Sequence, residues 1–426
     1  KILFIVSWFV ITSVQAQVKT LREQATIINE VLKDRLNNVL PVLMDRAQID
    51  CWVLITREYN EDPIVKTMLP AEWLSARRRT ILVFFRNHQN NTIEKYAVAR
   101  YAVGTEITAA WDVAAYPNQW EALTALLRKL NPTKIAINTS TDYGHADGLD
   151  HTEYLEFMQS LNTTEQAKVI SAEPLAVSWL ETRTEKEMQL YPLFLQITHA
   201  IIKEGFSNKV IHPNVTTTQD LVWWFRQQLS NKGLSTWFHP SIEIQRRVSN
   251  ENDEVIRPGD FLHVDFGISY LRLNSDVQEQ AYVLLPNEKE VPQDLQAAFT
   301  KTNQLQDFLT NEFEVGKSGN QILKQALTKA KAAGIQPSIY THPIGFHGHA
   351  AGTTIGMWDM QNGVPGSGDY TMKAKTCYSI ELNATHTLTG WDKPVRVALE
   401  QNGYFNGNSF EYIDGRQTKI HLIQSK

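Results

Sequence analysis

The chain has 426 residues, too many for one ordinary hydrophobic core and suited to two or three domains. Hydrophobic residues make up 42% and charged residues 20%, a globular composition that excludes a disordered or fibrous chain. Lys and Arg number 41 against 46 Asp and Glu, a net charge of -5, which argues against a nucleic-acid partner held by its phosphates. Cys51 and Cys377 are too few for a disulfide framework or a cysteine-rich zinc site, so any metal falls to Asp, Glu and His.

In chain order, Lys1 precedes an apolar run over residues 2–11 and a Val14-Gln15-Ala16 exit. That pattern predicts a secretory signal peptide over residues 1–16, cleaved after Ala16, and an exported, periplasmic protein. The run is about ten to thirteen residues, short of the roughly twenty that span a bilayer, so no integral membrane contact is expected. Apolar positions Leu21, Ile27, Ile28, Val31, Leu32, Leu36, Val39 and Leu40 predict a helix between about 18 and 46. Strand-like runs follow at 51–55, 81–85, 96–99 and 134–137, with helices over 120–130 and about 153–161. Helices alternating with strands predict an α/β domain over residues 17–178, with no chemistry of its own. Glu58, Glu61 and Asp62, closed by Pro63, read as a solvated loop. A long helix over 182–206 opens on a capping pattern, Thr182 and Thr184 ahead of Glu185 and Glu187. A second, over 218–232, carries Trp223, Trp224 and Phe225, read as core-packing aromatics with a binding shelf as the alternative.

The chemistry gathers after residue 259. Across 261–265 the alternation places His263 and Asp265 on one face of a predicted strand. Asp276 heads a second apolar run, 281–285, and a hairpin joining the two runs would bring both carboxylates together. Carboxylates so placed repel unless a cation or a proton sits between them; turn or edge positions are the alternative. His342, His347 and His349 fall within eight residues, among glycines that let backbone approach closely. Glu381 lies inside one apolar run and Glu400 ends another. Each would need a partner or a metal if buried; a surface-facing strand position is the alternative. Carboxylates with one imidazole suit a pair of divalent ions such as Mn, Co, Fe or Zn, and two such ions can clamp a scissile carbonyl.

With Asp265, Asp276, His349, Glu381 and Glu400 in that order, the sequence over about 179–426 resembles the pita-bread metallopeptidases, the family of aminopeptidase P, prolidase and methionine aminopeptidase. The preceding domain looks like the creatinase-like N-terminal domain of the aminopeptidase P branch. The resemblance implies an α/β N-terminal domain followed by an α+β pita-bread catalytic domain of two pseudo-symmetric halves. It further implies a homodimer and an Xaa-Pro-type aminopeptidase acting on short peptides. Those five residues would be the ligands of two divalent metal ions, manganese first and cobalt, zinc or iron otherwise. Asp276 and Glu400 would bridge the ions, and Glu381 would also handle the proton of the attacking water. His349-Ala350-Ala351-Gly352 fits the family's ligand His followed by Gly three positions on.

Four positions depart from the family pattern. Val248 stands where a His usually precedes the first Asp by seventeen residues, and Gly356 where a second His follows the ligand His by seven. Leu382 replaces the Pro after the fourth ligand, and Ala398 an Arg two residues before the last Glu, although Arg396 shares that strand face. His239, His263, His342 and His347 are candidates for the vacated roles, with His342 and His347 expected as catalytic residues. A non-peptidase activity on the same fold, or a metal- or ligand-binding module, is the alternative. His347-Gly348-His349 echoes the paired His of amidohydrolases without a barrel-like series of βα units, and no His-Glu-x-x-His motif occurs. Residues 363–368 read as a loop and not a phosphate cradle. Cys377 shares strand parity with Ser379 and Glu381, but an inert buried thiol is the preferred reading.

Overall fold

The computed structural model describes residues 18–248 and 253–425, so the expected signal peptide lies outside the described residues. Helix Leu21–Asp34 opens on a capping box: Thr20 accepts from the Glu23 N–H while the Glu23 side chain reaches back to Thr20. At Arg35–Val39 the helix widens into a single π turn, then resumes as Leu40–Ala47. Its apolar positions serve both halves of the molecule. Ile27 and Ile28 pack on the carboxy-terminal half, whereas Leu36, Leu40, Leu43 and Met44 are buried in the amino-terminal core.

That core surrounds a six-stranded mixed sheet made of β1 (Cys51–Arg57), β2 (Arg79–Asn87), β3 (Thr92–Ala97), β4 (Thr108–Ala109), β5 (Ile135–Ile137) and β6 (Val169–Ser171), in the order β4-β3-β2-β1-β5-β6. Its strands are apolar on both faces because both are covered. Trp52, Leu54, Leu82 and Phe84 meet helices Leu40–Ala47 and Glu173–Glu181. Val53, Ile55, Ile81 and Val83 meet helices Gln119–Leu130 and His151–Ser160. The expected α/β pattern is therefore present. Asp62 is not solvated as read: it is 1% exposed and caps helix Pro63–Met68, accepting from the Ile64 and Val65 N–H groups at 2.7 and 3.1 Å.

Helix Glu185–Gly205 begins at Thr184, which forms a capping box with Glu187. Glu187 also receives Arg35 at 2.9 Å and Arg183 at 3.2 Å, all three side chains being fully buried. Burial opposes the ionisation of Glu187, yet Arg183, Arg35 and the Thr184 N–H together hold its pKa below the ordinary value. The second positive charge is absorbed by carbonyls at the C-terminal end of helix Glu173–Glu181. Arg35 donates to the Trp179 and Thr182 carbonyls and Arg183 to that of Leu180. Helix Thr218–Lys232 follows, with Phe225 buried but Trp223 60% exposed, because three successive helical positions cannot all face one core.

The remaining strands form the second domain. β7 (Ser241–Gln245), β8 (Phe261–Phe266), β11 (Val277–Val283) and β19 (His421–Ile423) make one sheet, with the short ribbon β9 (Ser269–Tyr270) and β10 (Leu273–Asn274) between β8 and β11. β12 (Gln336–Ile339), β15 (Leu382–His386) and β16 (Val395–Leu399) make a second. β13 (His342–Pro343), β14 (Thr376–Ser379), β17 (Asn402–Phe405) and β18 (Phe410–Tyr412) make a third. The expected hairpin is present as β8 and β11, but β11 starts at Val277 and not at 281, since Gln278, Glu279 and Gln280 are buried polar residues inside it. Helices Gln293–Thr310 and Gly319–Ala332 cover the second sheet. No helix among the described residues is long and apolar enough to cross a membrane.

Where the two domains meet, Tyr370 donates to Glu181 Oε1 at 2.9 Å, while Glu181 Oε2 is buried with no hydrogen-bond partner among the described residues. Burial pushes the Glu181 carboxyl up to about 7, with Tyr370 opposing the shift. A raised carboxyl binds more protons folded than unfolded, so it makes stability fall as pH rises from the unfolded value near 4.5 to about 7. Glu181→Gln is expected to lose less stability than wild type between pH 5 and pH 8 in denaturant unfolding. Equal losses would show that Glu181 is not protonated at the lower pH.

Candidate metal centre

β8 and β11 pair antiparallel with Asp265 opposite Gln278, which sets Asp265 beside Asp276 just ahead of β11. Asn402 pins the Asp276 backbone: it accepts from the Asp276 N–H at 3.1 Å and donates to the Asp276 carbonyl at 3.0 Å. Glu381 and Glu400 occupy the two points where the chain crosses between the second and third sheets. Ser379 pairs with Asn402 on one side of this seam and Leu382 with Leu399 on the other. Both glutamates are thereby delivered to Asp265 and Asp276. Ser379 Oγ donates to Glu400 Oε1 at 2.7 Å and accepts from Asn402 Nδ2 at 2.9 Å. Gln278 Nε2 donates to Glu381 Oε1 at 3.0 Å and to Glu400 Oε2 at 2.7 Å.

His342 opens β13 opposite Ser379. Its Nδ1 donates to the Pro343 carbonyl at 3.0 Å, so Nε2 carries the lone pair. That nitrogen lies 3.5 Å from Glu400 Oε1, 3.8 Å from Asp276 Oδ2 and 4.0 Å from Glu381 Oε2. His342 Nε2, Asp265 Oδ1 and Asp276 Oδ1 are all buried, and none has a hydrogen-bond partner among the described residues. Asp265, Asp276, Glu381, Glu400, His342 and His349 form three overlapping groups whose ligand atoms lie within 4.8 Å of one another. Burial, then the charge of Glu400, pushes Asp265, Asp276 and Glu381 well above the ordinary carboxylate range, and burial raises Glu400 too. Such a set must hold either protons or a cation. Orphaned oxygens beside an imidazole lone pair fit a divalent cation.

The three histidines of the loop separate. His342 is central, whereas the resemblance put the imidazole ligand at His349. His349 is exposed and reaches the same space only with Asp276 and His342, its ring edge-on to His342 at 4.7 Å and to Trp237 at 5.0 Å. The Pro343 carbonyl fixes the His342 tautomer, whereas no hydrogen bond among the described residues orients His349. His347 does not join the carboxylates. It stacks on His145, from the turn Gly144–Ala146 of the first domain, at 4.1 Å between ring centres. Burial, then His145, lowers its pKa to about 3.

Among the other candidates, His263 bonds Gln278, and His239 accepts from Arg226 at 3.1 Å. Arg396 reaches Glu243 at 3.4 Å and does not turn to the centre. Cys377 is buried against Met188, its thiol pushed up by burial, in keeping with an inert role. Gln278, Asn402, Trp237 and Tyr340 were not legible as site residues. The Tyr340 ring lies 5.5 Å from that of His342, and burial, then Glu381, raises its phenol to about 12, so it stays protonated.

No curated protein matches the chain in sequence. Among solved structures, an X-Pro aminopeptidase from Thermotoga maritima aligns with TM-score 0.63 at 12% identity, covering 89% of this chain and 99% of that one. An Xaa-Pro dipeptidase from Bacillus anthracis aligns with TM-score 0.58 at 14% identity, covering 95% and 100%. At such identities the likeness establishes the fold: an α/β domain followed by a pita-bread domain. The profile of metallopeptidase family M24 matches residues 194–408, just over half of the chain and all of the carboxylate cluster. The chain belongs to metallopeptidase family M24.

Proposed function

We propose that the protein is an aminopeptidase for Xaa-Pro or related short peptides, working with two divalent ions, manganese first. The observation that carries this reading is the lone pair of His342 Nε2 facing three carboxylates beside orphaned oxygens of Asp265 and Asp276. Asp265, Asp276, Glu381, Glu400 and His342 would hold the ions, with His349 in reach of Asp276. When bound, such ions supply Lewis acidity toward a peptide carbonyl and acidify water.

The chain's own residues do the rest. The Pro343 carbonyl keeps the His342 proton on Nδ1, away from the reacting groups. Ser379 and Gln278 occupy the oxygens of Glu400 with hydrogen-bond donors, which leaves it a poor base. Glu381 is more open, its side chain 19% exposed against 5% for Asp276 and 1% for Glu400, and its Oε2 carries no such donor. Glu381 is therefore the carboxylate of the set that takes the proton from the attacking water and gives it to the departing amine. The names of the two similar solved structures support Xaa-Pro peptides as the substrate class.

A second reading, a non-peptidase activity on the same fold, is favoured by Gly356. Its φ is +73°, and a Cβ there would lie 2.2 Å from the Ile339 carbonyl oxygen. The position of the family's second His is thus closed to any side chain. Val248, at the other altered position, is 57% exposed.

A panel of Xaa-Pro dipeptides and tripeptides with added Mn²⁺ separates the two readings: hydrolysis abolished by chelator supports the peptidase, and silence by the metal-loaded protein supports the second. In the active case Glu381→Gln is expected to lower kcat by about 10²–10⁴-fold. Gly356→His is expected to cost about 2–4 kcal/mol in denaturant unfolding and to gain no activity, since backbone strain precedes any chemistry. The pattern over residues 1–16 supports export, and secreted material is expected to begin at Gln17 on amino-terminal sequencing; an uncleaved cytosolic chain would overturn it.

A further inference from the structure

Gln278 sits on β11 between the carboxylates and His263, and its contacts allow one orientation of the amide. Nε2 has two hydrogens, given to Glu381 Oε1 at 3.0 Å and Glu400 Oε2 at 2.7 Å. Turning the amide over would set its carbonyl oxygen against Glu381 and Glu400, which with a cation bound have no hydrogen to give it. With Nε2 so committed, Oε1 faces His263 Nε2 at 2.8 Å and can only accept. His263 must therefore carry its proton on Nε2. Its Nδ1 is buried without a hydrogen-bond partner among the described residues, the Glu243 carboxylate lying 3.6 Å away. Gln278 and His263 are 3% and 4% exposed, so water does not compete freely for these bonds.

The amide also decides which oxygens remain for a ligand. By taking Glu381 Oε1 and Glu400 Oε2 it leaves Glu381 Oε2, and Glu400 Oε1 with its one bond from Ser379, on the side of His342 Nε2, 4.0 and 3.5 Å away. The backbones agree: the Gln278 N–H donates to the Glu400 carbonyl at 3.0 Å and the Glu400 N–H to that of Gln278 at 3.3 Å. The Gln278 side chain thus starts from a main chain already tied to one of the two glutamates it orients.

We propose that Gln278 is the positioning residue of the centre, aiming one oxygen of Glu381 and one of Glu400 at the ions, and that His263 acts only through Gln278 by fixing its amide. The proposal rests on the metal-dependent reading above and adds to it an outer layer made from β8 and β11. Side chains that hold a metal ligand by a hydrogen bond typically change metal affinity by about 10–100-fold when removed.

The test is Mn²⁺ binding to the full chain by calorimetry, with Gln278→Met keeping the side chain's length while removing both donors. Gln278→Met is expected to fold and to bind Mn²⁺ about 10–100-fold more weakly. His263→Phe is expected to weaken binding less, and the double variant to match Gln278→Met alone, because His263 has no other route to the ions. Wild-type affinity in a folded Gln278→Met overturns the proposal, and additive losses in the double variant overturn the role given to His263. A wild-type chain that binds no Mn²⁺ overturns the metal-dependent reading instead. Nitrogen-15 NMR of the histidines in the wild-type protein loaded with diamagnetic Zn²⁺, assigned with His263→Phe, covers the case in which Gln278→Met fails to fold. A neutral ring with its proton on Nε2 is expected for His263. A neutral ring with its proton on Nδ1 overturns the amide orientation and the proposal with it.

Discussion

Repulsion among four carboxylates gathered around one imidazole governs the second domain. Asp265 and Asp276 arrive on one hairpin, Glu381 and Glu400 on the two crossings of a seam, and nothing apolar separates them. Ser379, Asn402 and Gln278 offset part of the cost by donating hydrogens to the carboxylates or to one another. They leave Asp265 Oδ1 and Asp276 Oδ1 bare. A core chosen for stability alone would hold apolar residues there, so the arrangement is explained by the cation it calls for.

A charge surplus of the opposite sign lies on the far side of the histidine loop. Arg35 and Arg183 share Glu187, and both guanidinium groups also lie over the ring of Phe346, 4.8 and 4.9 Å from its centre. The loop therefore runs from His342, turned toward negative charge, to Phe346, sandwiched by positive charge. The same loop carries His347, seated on His145 of the first domain. The amino-terminal domain thereby supports the segment that supplies the central imidazole.

Much of this was legible in the sequence, for reasons that differ by residue. The strands of the first domain are runs of Val, Ile, Leu and Phe because both faces of their sheet are covered, and such runs stand out. Asp265, Asp276, Glu381 and Glu400 were legible because an acidic residue inside an apolar run has few uses. The start of β11 was not, since Gln278, Glu279 and Gln280 have the polarity of a loop while being buried; a strand whose outer half contacts a polar site loses its hydrophobic signature. Three buried polar residues next to Val277 and Ala281 were the available signal. His342 and His349 could not be ranked by spacing, because the difference between them is a hydrogen bond from a ring nitrogen to the neighbouring carbonyl. Trp223 was misplaced for a simpler reason, a run of aromatics read without its helical angle.

The helix interrupted by the π turn at Arg35–Val39 serves two hosts. Ile27 and Ile28 lean on the carboxy-terminal half, while Leu32, Leu36, Leu40, Leu43 and Met44 belong to the amino-terminal core. Each helical residue turns the chain by about 100°, so the added residue sets which way every later side chain faces. Close homologues of this architecture should keep the number of residues in that turn more strictly than their identities. Side chains there can be exchanged, but a lost residue would rotate every later contact off its sheet.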